Sequence, residues 1–259
     1  MGLTRNDPRK KTILLVVPVY NEEEILERSI ARLVGYMSKN VAERWKILIA
    51  DNASNDRTAE VSMALTRRYP NVGYVFLKQK GRGNALRHCW TKYDADIYAY
   101  CDADLATGIS SMKRLFSGIS EGYDIVIGNR YLARSRTRRS PIRLLLSKGY
   151  ITLAKILFNT TITDFQCGFK AINRRVATDA IPMTKSAEWV FDTEFLLISE
   201  RKRYRILQIP ITWKEESGIG AGRKSKVKRL RAIMEHIGFL LELRGRLAHA
   251  GRAPSLGTG

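Results

Sequence analysis

Histidine and cysteine are scarce in this sequence of 259 residues, which contains three of each. Cys89, Cys101 and Cys167 are widely spaced and form no CxxC pair, which favours buried thiols in a reducing cytosol over a zinc site or a disulfide. The histidines lie in helical contexts or near the end of the chain, so none is an obvious general base. Base chemistry would therefore fall to a carboxylate.

Long apolar runs are also lacking. No stretch approaches the roughly 18 to 20 apolar residues that span a bilayer, and residues 1–11 are polar, so we expect neither a transmembrane helix nor a secretory signal. Hydrophobic residues nevertheless make up 44% of the chain, which is enough for the core of one large domain or of a domain with a subdomain. We expect a folded, cytoplasmic protein.

Positive charge, by contrast, is abundant: 45 lysines and arginines against 25 acids give a formal net charge of +20. The excess is carried by residues 130–150, which contain no acid, and by residues 201–259. Such surfaces suit nucleic acid, anionic lipid head groups or phosphorylated ligands, although a basic face can also serve solubility alone. The basic stretches lack interleaved aromatic residues and a nucleic-acid-binding motif, which argues against nucleic acid.

Strand-like and helical patterns alternate four times in the first half of the chain, with short connections. Asn21, followed by Glu24 three residues later, is predicted to cap the first helix. The alternation predicts an α/β fold of the Rossmann-like type, a mostly parallel twisted sheet flanked by helices, with its ligand site at the carboxyl ends of the strands. Predicted strands occupy residues 12–19, 45–50, 72–77, 96–101 and 123–127.

The second half is less regular. Residues 134–143 are predicted to form a basic loop, residues 142–158 an apolar helix and residues 206–213 one strand. From residue 227 onward, apolar residues recur at helical spacing between basic ones; such a helix lies on a membrane or, more commonly, packs on the sheet. The predicted organisation is a polar segment at 1–11, a main domain at 12–225, a basic amphipathic helix at 226–249 and a flexible tail at 250–259.

Polar residues follow the predicted strands at one edge of the sheet. Asp102 and Asp104 suit a divalent cation held against a diphosphate, although an Asp-x-Asp pair taken alone more often caps a helix. Lys80 and Arg82 belong to a basic glycine loop whose amides either cradle phosphate or form a tight turn. Because the carboxyl ends of parallel strands meet at one edge, the convergence favours a binding site. The other strand-end candidates are residues 20–23, Asp51 and Arg130.

Six short motifs follow one another along the chain. They are VPVYNEE at 17–23, DNASNDRT at 51–58, DAD at 102–104, GNR at 128–130, DFQCGFK at 164–170 and FDTE at 191–194. In order and spacing they resemble the family 2 glycosyltransferases of the GT-A fold, most of all the dolichyl-phosphate β-glucosyltransferases and dolichyl-phosphate mannose synthases. The resemblance covers about residues 12–230, and the QCGFK stretch leans toward the glucosyltransferases.

This resemblance implies an inverting, metal-dependent transfer of a hexose from a nucleotide sugar, of the UDP-glucose or GDP-mannose type, to a polyprenyl or dolichyl phosphate. Asp102 and Asp104 would hold Mg²⁺ or Mn²⁺ against the donor diphosphate. Mannose synthases often carry a further ligand, Gln, at the position that is Ala106 here. The residues expected at the donor nucleotide are Pro18, Tyr20, Glu22, Asp51, Lys80, Arg82, Asp102 and Lys226, the last from a Ser-Lys pair that closes over the diphosphate.

The resemblance also implies an acceptor-phosphate site at Arg143 and Ser147, one helical turn apart, to which we add Arg130. A phosphate monoester, with a second pKa of about 6, is largely ionised at neutral pH, so its attack needs no strong base. For a glycan or other hydroxyl acceptor, which is the alternative, a carboxylate would take the proton. Asp192, preferred to Glu188, is that candidate catalytic residue, although it can equally cap a helix.

The membrane helices that relatives carry in their second half have no counterpart in this sequence. We therefore expect the basic surfaces to hold the protein at the cytoplasmic face of an anionic membrane, alone or with a membrane-protein partner.

Overall fold

The structure, a computed structural model, describes residues 10–138, 141–214 and 226–250. Strands and helices alternate along most of it, with short 3₁₀ turns at Ile109–Ser111 and Ile181–Met183. In chain order the elements are β1 (Thr12–Val19), α1 (Glu23–Asn40), β2 (Arg44–Asp51), α2 (Thr58–Arg68), β3 (Val72–Phe76), α3 (Arg82–Lys92), β4 (Ile97–Cys101), α4 (Met112–Ser120), β5 (Ile125–Asn129), β6 (Arg136–Arg138), α5 (Pro141–Phe158), β7 (Phe169–Asn173), α6 (Arg174–Asp179), α7 (Phe191–Arg201), β8 (Ile206–Pro210), β9 (Thr212–Lys214) and α8 (Lys226–Ala250).

Seven of these strands form one sheet, in the order β3-β2-β1-β4-β7-β5-β8. Strands β1 to β4 are parallel to one another, and so are β5 and β8. Strand β7 lies between β4 and β5 and runs antiparallel to both. The predicted mostly parallel α/β sheet is therefore confirmed, and the carboxyl ends of β1, β2 and β4 meet at one edge.

Helices cover both faces of the sheet because its central strands are apolar on both sides. In β1, Leu15, Val16 and Val17 are all completely buried. Leu15 and Val17 belong to a cluster with residues of α1, α2 and α4, whereas Val16 belongs to a second cluster with residues of α3, α5, α7 and α8. Leu240 and Leu243 bring α8 into that second cluster, so this helix packs on the domain.

Two predicted boundaries in the second half are wrong. The strand expected over residues 206–213 is broken at Pro210, which has no N–H to continue the ladder. Beyond it β9 leaves the main sheet and pairs with β6. The predicted basic loop at 134–143 thus contains β6, and α5 already begins at Pro141. Ser135 joins the two pieces, because its hydroxyl accepts from the Ile211 N–H at 3.2 Å.

Apolar side chains remain exposed on the outer helices. On α5, Leu145 is 72% exposed and Ile156 is 73% exposed; on α8, Leu241 is 56% exposed. Within the described part of the chain, no helix combines the length and apolar character required to cross a bilayer.

Candidate active site

A cleft of about 320 Å³ opens at the edge where β1, β2 and β4 end. Most of the strand-end residues singled out in the sequence line it together. Glu188 and Trp189, which precede α7, close one wall. The lining residues are Pro18, Val19, Tyr20, Glu22, Asn52, Lys80, Gly81, Arg82, Asp102, Ala103, Asp104, Glu188 and Trp189.

The turn after β1 is locked to the loop after β2. Asn21 has a left-handed backbone, with φ of 55°, and its side-chain oxygen accepts from the Asn55 N–H at 2.9 Å. The Glu22 N–H donates to the Thr58 hydroxyl at 2.9 Å. Asn21 therefore does not cap α1, as the sequence pattern had suggested; its short polar side chain tolerates the left-handed turn and bridges two strand ends instead.

Asp51 is buried beneath the cleft. Its carboxylate accepts from the Ser54 N–H at 2.9 Å and from the Tyr74 hydroxyl at 3.0 Å. Burial and the contact with Asp51 raise the pKa of Tyr74 to about 12. Asp51 thus fixes the loop that follows β2, while its neighbour Asn52 lies on the cleft wall. A contact of Asp51 with the base or ribose of a donor stays a prediction.

The two carboxylates after β4 lie in the middle of the cleft. Asp102 is 37% exposed and accepts from Arg82 Nη1 at 3.2 Å. Asp104 is exposed, and its Oδ1 accepts from the Ala106 N–H at 2.9 Å across Leu105, which has φ of 52°. This Asx turn fixes the Asp104 side chain, and Ala106, being alanine, offers no side-chain ligand.

Gly168 leaves the space that the Asp102 carboxylate occupies. A Cβ at residue 168 would fall inside the van der Waals radii of the Asp102 carboxylate, so only glycine permits this packing. The Asp102 N–H also donates to the Gly168 carbonyl, at 3.2 Å. Glycine is therefore required at position 168, just before β7, because the side chain of Asp102, just after β4, fills the space next to it.

Negative charge is concentrated here. Burial, and then the neighbouring Asp104, Asp102 and Asp56, raise the pKa of Glu22 to about 7. Burial also raises the pKa of Asp102, against the opposing effect of Arg82. Within the three described stretches, no cluster of three or more His, Cys, Asp or Glu side chains is arranged to hold a metal ion. A cation at this edge would therefore need ligands from the donor and from water besides the two aspartates.

Arg82 is not the exposed cation that the glycine loop suggested. Its side chain is 8% exposed and forms ion pairs with both Asp102 and Asp192, while its guanidinium lies 4.1 Å from the centre of the Trp189 ring. Lys80, in contrast, lies over the ring of Tyr20 with its Nζ 3.5 Å from the centroid.

The glycines of this loop serve close packing. A Cβ on Gly81, which has φ of 139°, would meet the Ala187 carbonyl oxygen at 2.5 Å, and one on Gly83 would meet Phe191 Cβ at 2.6 Å. The loop is therefore pressed against the segment that carries Glu188 and Trp189, and the tight-turn interpretation describes it better than a phosphate cradle.

A buried polar cluster supports Arg82 from below. Asp192, completely buried, pairs with Arg82 and with Lys170, whose Nζ lies 2.9 Å from Asp192 Oδ1, and it also accepts from the Tyr100 hydroxyl. Lys170 is itself completely buried. The helix α7 begins with Val190 as its N-cap residue, so Asp192 does not cap it. Asp192 is therefore occupied by Arg82, Lys170 and Tyr100 and is not among the residues that line the cleft, and the base role predicted for it stays a prediction.

The predicted acceptor residues lie on the far side of β4. Arg130 is 10% exposed and is bound through Nε and Nη2 by Asp164, at 2.8 and 2.7 Å. A second, small cavity joins Arg130 to Ser147, Tyr150 and Gln166. Arg130 is therefore largely committed to Asp164, and the cavity reaches it only at its edge.

Two further predicted residues cannot be placed in the same way. Arg143 lies on α5 and Lys226 begins α8, but their side chains fall outside the described residues, as does Ser225 altogether. Their roles stay predictions.

Several residues of the site were missed by the sequence reasoning. Asn52 and Trp189 line the cleft, and Tyr100 and Lys170 form its buried support. Asn52 and Lys170 lie within motifs already singled out, and Trp189 is an aromatic residue just before one. Their positions in the motifs were a usable signal, but their burial depends on how β4, β7 and α7 come together.

The sheet order and the pair of aspartates at the end of its central strand define a protein of the GT-A fold. The solved structure of glucosyl-3-phosphoglycerate synthase from Mycobacterium tuberculosis, in complex with Mn²⁺, UDP-glucose and phosphoglyceric acid, matches with a TM-score of 0.67 over 96% of this chain and 82% of that one. Their sequences are 19% identical, so this likeness establishes the fold.

The chain belongs to glycosyl transferase family 2, whose model matches residues 14–180, and it is an enzyme of the sugar-transferring class. It is 31% identical to a dolichyl-phosphate beta-glucosyltransferase of Trichomonas vaginalis, over 82% of this chain and 68% of the relative. It is 28% identical to the dolichyl-phosphate beta-glucosyltransferase of Saccharomyces cerevisiae, over 82% of this chain and 70% of the relative. The family predicted from the motifs is confirmed.

Proposed function

We propose that this enzyme transfers a hexose, with inversion, from a nucleotide sugar to a polyprenyl or dolichyl phosphate. One observation carries the proposal: Asp102 and Asp104 share a cleft at the carboxyl ends of the strands, and an apolar groove that includes Ser147 runs between α5 and α8. The cleft offers oxygen ligands for a cation held against a nucleotide diphosphate, and the groove offers an apolar surface for a lipid tail. The dolichyl-phosphate substrates named for the relatives support the same assignment.

The carboxylates of the cleft fit a divalent cation. Mg²⁺ and similar ions take oxygen ligands and commonly bind one or two carboxylates together with substrate phosphates and waters. Repulsion from Asp102 and Asp104 contributes to the raised pKa of Glu22, and a cation would relieve it. We assign Asp102 and Asp104 as its protein ligands, with Mg²⁺ or Mn²⁺ as the ion. When bound, the ion stabilises the negative charge that develops on the departing diphosphate.

The side chains around the ion orient the donor. Tyr20, Pro18 and Asn52 line the part of the cleft at the ends of β1 and β2, which suits the nucleoside. Lys80 brings a cation to the same wall, where it attracts the diphosphate. Arg82, being paired, holds Asp102 in place.

The acceptor needs no base if it is a phosphate. A phosphate monoester with a second pKa of about 6 already carries its nucleophilic oxygen in ionised form at neutral pH. Asp192, paired with Arg82 and Lys170, is then a positioning residue. A hydroxyl acceptor would require a free carboxylate on the acceptor side, and the pairing of Asp192 argues against that alternative.

The apolar groove suits the lipid tail. It has a volume of about 530 Å³ and begins at Ser147, where the polar cavity ends. Its walls come from α5 and α8 and from Gln166. The lining residues are Leu145, Leu146, Ser147, Gly149, Tyr150, Leu153, Gln166, His236 and Ile237.

Exposed apolar residues and basic stretches together suit attachment to a membrane surface. Each basic residue near an anionic surface contributes about 1 kcal/mol, and residues 130–150 contain seven basic residues and no acid. We propose peripheral attachment at the cytoplasmic face, with the groove opening toward the lipid. Flotation with anionic liposomes should carry the protein at low salt and release it as salt rises; an absence of binding at any salt would remove this part of the proposal.

The transfer itself is tested with a donor panel. UDP-glucose, GDP-mannose and UDP-N-acetylglucosamine are each assayed with a polyprenyl phosphate in Mg²⁺ or Mn²⁺. Transfer from one donor is expected, and Asp104→Ala should abolish it without loss of fold, because Asp104 is exposed and the hydrogen bond that it accepts, from the Ala106 N–H, is a local one. Glu60→Ala, at an exposed carboxylate on α2, is the matched control and should keep full activity. Turnover onto a sugar hydroxyl with none onto the polyprenyl phosphate would reject the proposal.

A further inference from the structure

Trp189 and Glu188 line one wall of the cleft, to which neither the nucleotide nor the metal ion has been assigned. We infer that these two residues form the subsite for the hexose of the donor, with the indole as a platform for the apolar face of the sugar ring and the carboxylate as an acceptor for its hydroxyls. This inference rests on the proposed function, because it takes a nucleotide sugar as the ligand.

The position of the two residues follows from the sheet order. The nucleoside end of the cleft lies at β1 and β2, and the predicted metal ligands lie after β4, the next strand across. Trp189 directly precedes α7, whose Asp192 contacts Tyr100 of β4 and Lys170 of β7. The segment is thus anchored to β4 and β7 through Asp192. When a donor binds with its nucleoside at β1 and β2 and its diphosphate after β4, the sugar on the terminal phosphate lies at the wall formed by Glu188 and Trp189.

The indole is unusually open for its size. Trp189 is 55% exposed although it borders a cleft, and it is in contact with the Arg82 guanidinium at 4.1 Å. Arg82 is in turn bound to Asp102, which places the indole one side chain away from the diphosphate-binding carboxylates. An aromatic side chain left exposed in a polar cleft is typical of a ligand surface, and one face of a hexose ring presents mainly C–H groups.

The backbone before Trp189 is held firmly. Glu194 is completely buried, and its carboxylate accepts from the N–H groups of Lys185 and Ser186 at 3.0 and 2.8 Å. Arg87 donates to the Thr184 and Ser186 carbonyls at 3.0 and 3.2 Å. The platform is therefore presented in a fixed position before the donor arrives, which reduces the ordering cost of binding.

The segment is also held from the donor side. The Asn84 N–H at the start of α3 donates to the Ala187 carbonyl at 3.1 Å, and Gly81 and Gly83 pack directly against Ala187 and Phe191. The loop that carries Lys80 and Arg82 and the segment that carries Trp189 thus form one unit. This unit spans the place where diphosphate and sugar meet.

Binding measurements can separate the contribution of the sugar to the affinity from that of the nucleoside diphosphate. Calorimetry with Mn²⁺ compares UDP-glucose with UDP, and GDP-mannose with GDP, for the wild type, Trp189→Ala, Trp189→Phe and Glu188→Gln. For the pair that the wild type prefers, Trp189→Ala should weaken the sugar nucleotide about tenfold and leave the bare diphosphate within about twofold. Trp189→Phe should restore most of the loss. Glu188→Gln should weaken the sugar nucleotide about 10-fold, because the amide oxygen still accepts but the hydrogen bond loses its charged acceptor.

A control variant excludes a general effect of losing exposed apolar surface. Met63→Ala removes a side chain that is 45% exposed on α2, outside the cleft, and should change neither affinity. Equal weakening of UDP-glucose and UDP by Trp189→Ala would overturn the inference, since the residue would then act on the diphosphate through Arg82. Unchanged affinity for both would overturn it as well. If the wild type binds a sugar nucleotide more tightly than its diphosphate but transfers nothing to a polyprenyl phosphate, the proposed acceptor fails while the sugar subsite stands.

Discussion

Replacing Gly168 with alanine is expected to inactivate the enzyme while leaving most of its fold in place. A methyl group at this position would overlap the carboxylate of Asp102, so either the carboxylate or the backbone must move. Backbone movement is resisted, because residue 168 precedes β7, which is paired with β4 on one side and with β5 on the other. The Asp102 N–H also donates to the Gly168 carbonyl. We therefore expect the side chain of Asp102 to be displaced.

The size of the effect follows from the overlap. A carbon and an oxygen that are not hydrogen bonded in the usual way approach to about 3.3 Å, so the carboxylate has to shift by roughly 1 Å or more. A misplacement of about 1 Å at a catalytic group costs on the order of 100-fold in rate. Overpacking of a close contact costs about 1 to 3 kcal/mol of stability, which most domains tolerate.

Three measurements separate these effects. Mn²⁺ affinity, followed by electron paramagnetic resonance in the presence of UDP, should fall together with the transfer rate, while circular dichroism stays that of the wild type. Gly35→Ala is the matched control: this glycine lies within α1 with no atom near its Cβ position, so the change should add about 0.5 to 1 kcal/mol of stability and leave activity unaltered. Wild-type Mn²⁺ affinity and turnover in Gly168→Ala would refute the assignment of Asp102.

Two further predictions concern buried polar groups. Lys170→Met leaves the completely buried Asp192 with one cation fewer and should lower the free energy of unfolding by about 3 kcal/mol, measured by urea denaturation. Adding Asp192→Asn to that variant should recover part of the loss. No recovery would show that Lys170 and Asp192 do not act as a pair. Tyr74 has its pKa raised from 10 to about 12 in the folded protein, so the stability that it contributes is fully present below pH 10 and is lost as the pH rises through 12. Tyr74→Phe should therefore show a smaller decline in melting temperature between pH 10 and pH 12 than the wild type, and an equal decline would contradict the contact with Asp51.

The local pattern of apolar and polar residues was sufficient to predict the strands and helices in the first half of the chain. The runs that became β1 to β5 are short, apolar and separated by helical patterns, and each strand pairs with a neighbour in a parallel arrangement that short βα connections favour. Pro210 illustrates what pattern alone misses. The residues on either side of it look like one strand, and the break is visible only once the missing N–H and the partner strand β6 are considered together.

The site was predictable where a residue acts at the end of its own strand, and less so where it acts through a distant partner. Asp102 and Asp104 were singled out because they follow a buried strand at the edge where other polar strand ends converge, and because they match one of six ordered motifs. Arg82 looked like an exposed cation in a glycine loop, but its charge is neutralised by Asp102 and Asp192. Arg130 likewise looked free, although Asp164, 34 residues away, binds it. Sequence shows the charge of a side chain but not the ion pair that occupies it.

The position of β7 between β4 and β5 affects how the sheet forms while the chain is being synthesised. Residues of β4 and β5 leave the ribosome before β7 exists, and in the finished sheet these two strands do not touch each other, since β7 separates them. Until residues 169–173 emerge, both strands present an unpaired edge, which is a target for association with other nascent chains. The arrival of β7 closes both edges and at once brings Gly168 against Asp102. The pairing of β7 with β4 and β5 and the positioning of Asp102 are therefore a single step in the formation of the sheet.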